Sequence, residues 1–196
     1  MTEISTNCTR VFCAPGRGES FQDSFAKLTW REKVELYYVD FTPAFGRLLF
    51  TEQIALFERI IREKFWSQDA ILLGRSFGSW IILNTLMRFE PIYPGTVVLV
   101  SSVLGFGGTA NLQFIAPRGW KFWDEAKERV APAKRFMLIH AVDDDQCPIK
   151  HAQKLSDMWH IDLVTFQDGG HQLVKTSHCE EVSEIIHNLH FEHSNT

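Results

Sequence analysis

The runs VVLV at 97–100 and MLIH at 137–140 place apolar residues at consecutive positions. A strand with one wet face alternates apolar and polar residues, so unbroken runs of this kind describe strands covered on both sides. A parallel sheet with helices on both faces buries its strands in this way. The pattern recurs along the chain: short apolar runs at 10–14, 34–40, 70–73, 96–101, 135–141 and 161–166 read as strands. Between them, stretches at about 21–27, 51–64, 77–88, 121–128, 150–159 and 180–189 read as helices. An α/β fold of about six mostly parallel strands is expected, and 196 residues give room for one domain spanning the chain. Two stretches break the rhythm: 103–119, rich in glycine and small residues, and the polar end 191–196, expected to be a flexible tail.

Composition narrows the partners. A formal net charge of −4 offers no broad basic footprint for nucleic acid or anionic lipid. The opening MTEISTNCTR lacks a basic segment followed by an apolar one, and no apolar run approaches bilayer length. The expectation is a cytoplasmic protein without nucleic-acid or membrane partners; the oligomeric state is not legible. Cys8, Cys13, Cys147 and Cys179 are scattered without a CxxC pair, and read as reduced thiols that chiefly pack.

In such sheets ligands bind beyond the carboxyl ends of the strands, so chemistry is sought just after each apolar run. Ser76 lies there, within ILLGRSFGSW. The pattern Gly74-x-Ser76-x-Gly78 alone is common, but here it joins a buried strand to an apolar helix, the setting in which a sharp turn presents a serine as a nucleophile. The amide of Phe77, opening that helix, would face a developing oxyanion. The alternative is an ordinary turn that happens to be small.

A serine nucleophile needs a base. Among eight histidines, His171 in FQDGGHQL follows a strand and a pair of glycines at the sheet's active edge. His187, His190 and His193 recur at intervals of three, a spacing that reads as a solvated surface rather than a metal face. A carboxylate that orients the imidazole is offered by LIHAVDDDQCP, where Asp143, Asp144 and Asp145 end another strand. A solvated turn is the competing reading, and the residues alone do not choose among the three aspartates.

Nucleophile, acid and histidine in that order, each after a different strand, resemble the α/β-hydrolase superfamily. The family's acid segment H-G-x-x-D-x-x-V-P aligns here with His140 to Pro148 and implies Asp144, with Asp143 as its alternative because Ala141 and Cys147 depart from the pattern. The resemblance implies a second oxyanion amide from the loop FCAPGRGES, at Arg17; Pro15 cannot donate one. The Arg17 guanidinium could instead reach over the site toward an anionic substrate group, or simply face solvent. With about nine residues before the first expected strand, the antiparallel strands that precede it in the family are not expected here. Only a short connection stands at 103–134, where relatives carry a cap domain, as in small cytosolic serine hydrolases of bacteria. Aromatic residues beside that connection, Trp120, Trp123 and Phe106, are candidates for a substrate pocket; core packing is the alternative, and Phe122, Leu104 and Phe45 pose the same question.

The expected chemistry is hydrolysis of a small ester through an acyl-enzyme, with no metal or organic cofactor. Thioester and amide cleavage use the same groups, and a silent ligand-binding member of the fold is the reading from a different class. A phosphate-binding loop is excluded, because APGRGES has neither the spacing nor the lysine.

Overall fold

The structure is a computed structural model that describes residues 8–31, 33–109 and 112–191. Along the chain it forms β1 (Thr9–Ala14), α1 (Phe21–Phe25), β2 (Val34–Tyr38), α2 (Pro43–Gly46), α3 (Phe50–Ile60) with a π-helical turn (Ile61–Phe65), β3 (Ala70–Arg75) and α4 (Phe77–Leu86). There follow β4 (Tyr93–Val100), β5 (Phe106–Thr109), β6 (Leu112–Ile115), α5 (Gly119–Lys127), β7 (Ala133–Ala141), α6 (Ile149–Trp159), β8 (Asp162–Phe166), a 3-10 turn (Gly170–Lys175) and α7 (Cys179–Phe191). Six strands form one sheet in the order β2-β1-β3-β4-β7-β8, and every pairing in it is parallel.

The consecutive apolar residues divide between two cores with the strand period of two. Phe12, Leu72, Val97, Leu99 and Leu138 face the layer of α3, α4, α5 and α6. Val11, Ile71, Leu73, Val98 and Met137 face α1 and α7, where Phe25, Val182 and Ile186 meet them. Each fully buried Leu, Ile or Phe contributes roughly 1.5–3 kcal/mol, so both layers hold the sheet. Helix α4 is buried along its whole length, which explains why its sequence is apolar on every side.

From β1 the chain steps outward to β2 across α1, then returns past β1 to β3 across α3. This reversal opens a crevice at the carboxyl ends of β1 and β3. The loops after those strands are the ones that carry Arg17 and Ser76.

Two local features differ from the expectation. The stretch 103–119 contains an antiparallel hairpin, β5 with β6, that no alternation announced. Its first strand, FGGT, has glycines where a pattern would show, and Gly107 packs so closely on the Phe114 ring that a Cβ would not fit. Strand β4 starts at Tyr93 rather than 96, because Pro94 and Gly95 lie at a register shift against β7 instead of in a turn. The expected tail at 191–196 lies, apart from the last helical residue Phe191, outside the described residues. Among the described residues no helix is long and apolar enough to cross a membrane, and all four cysteines are free thiols.

Candidate active site

Ser76 joins β3 to α4 with φ 51° and ψ −117°, a conformation that L residues rarely adopt. The neighbouring glycines make it sterically possible. A Cβ on Gly74 would stand 2.7 Å from Cα of Ser79, and one on Gly78 would overlap the backbone oxygens of Ala14 and Pro15. The start of α4 therefore lies directly against the end of β1. Phe77, as the first residue of α4, has an N–H with no acceptor in its own helix, and the loop bearing Arg17 is held beside it.

His171 sits in the 3-10 turn after β8, entered through Gly169 at φ 109° and Gly170 at φ 53°. Its Nε2 lies 2.9 Å from Ser76 Oγ and its Nδ1 lies 3.0 Å from Asp144 Oδ2. Asp144 is buried, which by itself would raise its pKa. Hydrogen bonds from His140, His171 and the Cys147 amide outweigh that effect and hold the carboxyl well below the usual carboxylate range. An ionised carboxylate only accepts, so Nδ1 of His171 carries the proton. In the neutral ring Nε2 then has a free lone pair directed at the Ser76 hydroxyl.

The three consecutive aspartates have separate places. Oδ1 of Asp144 accepts the amides of Gln146 at 2.9 Å and Cys147 at 2.8 Å, which turns its other oxygen toward His171. Asp143 is exposed and accepts the Gly170 amide at 2.8 Å, bracing the histidine turn from outside. Asp145 is exposed. Nε2 of His140 is 2.6 Å from the Cys147 carbonyl and 3.3 Å from Asp144 Oδ2, so the first residue of the aligned segment fastens its far end.

Arg75 was not singled out from the sequence. It is 1% exposed, and its guanidinium reaches three parts of the site. Nη2 donates to the His171 carbonyl at 2.9 Å and to Gln172 Oε1 at 2.8 Å, while Nη1 pairs with Glu19. Burial works to raise the Glu19 pKa, but the Ser24 hydroxyl, Arg75 and Lys175 together lower it. Ser24 in turn receives the Gly16 amide, so this network runs from the histidine turn to the loop of Arg17. Gly16 lies against it, since a Cβ there would stand 2.8 Å from Nη1 of Arg75. The available signal was a charge at the end of a six-residue strand that is buried throughout, which requires a partner inside.

A cavity of about 320 Å³ opens beside Ser76 and His171, with Val103, Phe114, Ile115 and Ala116 as its apolar wall. The aromatic candidates lie elsewhere. Trp123 and Phe122 are buried by the side of α5 that meets the core, with Phe122 4.9 Å from the Trp80 ring. Trp120 projects from α5 with 71% exposure and rests on Phe106, ring centres 5.0 Å apart. None of Trp120, Trp123 and Phe106 borders the cavity; the hairpin brings Phe114 and Ile115 of β6 to it, while Phe106 of β5 carries Trp120 instead. Leu104 is core, and Phe45 borders a neighbouring cleft.

Asp144, Cys147 and His171 place possible ligand atoms within 4.8 Å of one another. Burial, followed by the charge of Asp144, pushes the Cys147 thiol pKa up, away from the thiolate that a metal takes. The Asp144 and His171 atoms concerned already face each other, so the set is poorly suited to a cation. Of the histidines near the carboxyl end, His187 lies on α7, while the side chain of His190 and residue 193 lie outside the described residues.

No protein-family model and no curated protein sequence matches the chain. Solved structures do. MGS-MChE2, an alpha/beta hydrolase from the metagenome of lagoon sediments of Mar Chica, Morocco, superimposes with a TM-score of 0.70 at 14% identity, covering 96% of this chain and 93% of that one. The chain has the α/β-hydrolase fold. A lipase-esterase related protein from Clostridium acetobutylicum gives a TM-score of 0.68 at 15% identity, covering 92% of this chain and 93% of that one. The monoacylglycerol lipase of Paleococcus ferrophilus gives 0.65 at 14%, covering 90% and 91%. At such identities the likeness is one of fold, and fold alone does not fix what this chain does.

Proposed function

We propose that the protein is a serine hydrolase that cleaves carboxylic esters through an acyl-enzyme. The observation that carries the reading is the hydrogen-bonded line from Ser76 through His171 to Asp144, with the serine on a strained turn at the cavity mouth. Ser76 Oγ attacks the ester carbonyl while Nε2 of His171 takes its proton. The amides of Phe77 and Arg17 receive the oxyanion, and Asp144 stabilises the imidazolium. His171 then returns the proton to the leaving alcohol. In the second half it deprotonates a water, which attacks the acyl carbon and frees Ser76 and the acid. This sequence calls on no cofactor.

The similar structures include proteins named for lipase or esterase chemistry, which accords with an ester in preference to an amide. The substrate is read as a small molecule, since the cavity is compact and one of its walls is apolar. Four free thiols fit a reducing compartment, and the cytoplasm is the proposed location.

The test is turnover of matched 4-nitrophenyl esters, thioesters and anilides of acetate, butyrate and octanoate by the purified protein. Ester hydrolysis is expected to exceed anilide hydrolysis by at least about 10³-fold in kcat/KM, the alcohol being much the better leaving group. Thioester rates above all ester rates would move the assignment to a thioesterase. Absence of turnover with saturable ligand binding would favour a non-catalytic binder.

A further inference from the structure

The space beside Ser76 does not end at Phe77. Arg17 and Phe77 border both the serine cavity and a second cleft of about 420 Å³, whose other walls include Phe41, Thr42, Phe45 and Gln53. The Arg17 guanidinium carbon lies 4.7 Å from the centre of the Phe77 ring, so a cation rests on the boundary between the two spaces.

Among the described residues no ion pair involves Arg17, although it is exposed. Glu19, two residues on, is taken by Arg75 and Lys175. Arg17 is also the one charged residue among the described walls of the second cleft, in a chain whose net charge is −4. A positive group left unpaired at a cavity mouth, against the overall charge, concentrates anions there. The rest of the cleft is aromatic and polar. Phe41 and Phe45 stack at 4.3 Å, and Thr42 Oγ1 accepts the Phe45 amide while keeping its own proton to donate. Gln53 is 6% exposed, and its carboxamide oxygen is buried without a partner while its nitrogen is held by the carbonyls of Phe45 and Leu48.

We infer that the substrate of Ser76 carries an anionic group, a carboxylate, on the half that enters the second cleft, where the Arg17 guanidinium binds it. The inference rests on the serine-hydrolase reading above. The uncharged half lies along Val103, Ile115 and Ala116. The planar fork of an arginine matches a carboxylate through two parallel hydrogen bonds, and Arg17 is already oriented by the aromatic ring beneath it. Its backbone and its side chain then serve the same substrate, one at the oxyanion and one at the distal charge.

Two pairs of esters test this, each differing in charge. The mono-4-nitrophenyl ester of adipic acid against 4-nitrophenyl hexanoate places the anion on the acyl half; 3-acetoxybenzoate against its methyl ester places it on the leaving group. Every rate is divided by that of hydroxide-catalysed hydrolysis, and the readout is the anionic-to-neutral ratio of kcat/KM, which does not depend on the folded fraction. In at least one pair the ratio is expected to fall about tenfold or more in Arg17→Gln and to drop further in Arg17→Glu. Neutral esters turned over with ratios that neither variant changes would overturn the inference and leave the hydrolase reading standing. No turnover of any ester, with no covalent labelling of Ser76, would overturn the hydrolase reading and the inference with it.

Discussion

His171→Ala is expected to lower kcat/KM for 4-nitrophenyl acetate by about 10⁴-fold with the fold intact. Among the described residues the imidazole is the one group within hydrogen-bond reach of Ser76 Oγ that can take its proton, with Nε2 at 2.9 Å. Without it the serine stays a neutral hydroxyl of ordinary nucleophilicity, and only the oxyanion amides and substrate binding contribute. Asp144→Asn should cost about 10³-fold. An amide nitrogen facing Nδ1 would move the ring proton to Nε2, where it can no longer accept from the serine. Asp143→Asn should cost less than about tenfold, because the new amide oxygen can still accept the Gly170 N–H at 2.8 Å. Equal losses in the two aspartate variants would contradict the separate places the structure gives them. Circular dichroism and melting of each variant keep folding defects apart from chemistry.

Arg75→Met is expected to reduce kcat by about 10²-fold, though Arg75 takes no part in the proposed chemistry. Its guanidinium holds the His171 carbonyl, Gln172 and Glu19 at once, so it sets the distance between the histidine turn and the oxyanion loop. Losing it leaves three acceptors short of a donor and lets the imidazole shift against Ser76; misplacement by about 1 Å costs on this order. Stability should fall by about 1–3 kcal/mol, the scale of leaving buried acceptors without their donor, since Glu19 keeps Lys175 and Ser24. Turnover counted per titrated active site separates the two effects. A positioning role predicts a lower rate per site with KM within about threefold, and partial recovery in Arg75→Lys, which keeps the charge but cannot reach all three acceptors. An unchanged rate per titrated site would mean that Arg75 serves stability alone.

How much of this was legible in the sequence varies with how local the cause is. The sheet was readable because burial on both faces leaves consecutive apolar residues, as in Val97 to Val100. The turn at Ser76 was readable because two close backbone approaches demand glycine on either side. The choice among Asp143, Asp144 and Asp145 was not, from local pattern alone, since one step along a turn reverses a side chain; two backbone amides and His140 decide it. Whether Trp120 and Trp123 line a pocket or pack in the core was open for a similar reason. The phase of α5 buries Trp123 and exposes Trp120, and a hairpin that glycines concealed supplies the cavity wall. Arg75 depends on a partner 56 residues away, and the second cleft on a loop and helix meeting Arg17, relations that no local pattern records.

The measurement that tests the central claim most directly is labelling of the purified protein with a fluorophosphonate, followed by intact mass and peptide mapping, beside Ser76→Ala. The account predicts one adduct, mapped to Ser76, absent from Ser76→Ala and formed far more slowly in His171→Ala. A folded protein that takes no label at Ser76, or labels equally well without His171, would contradict it.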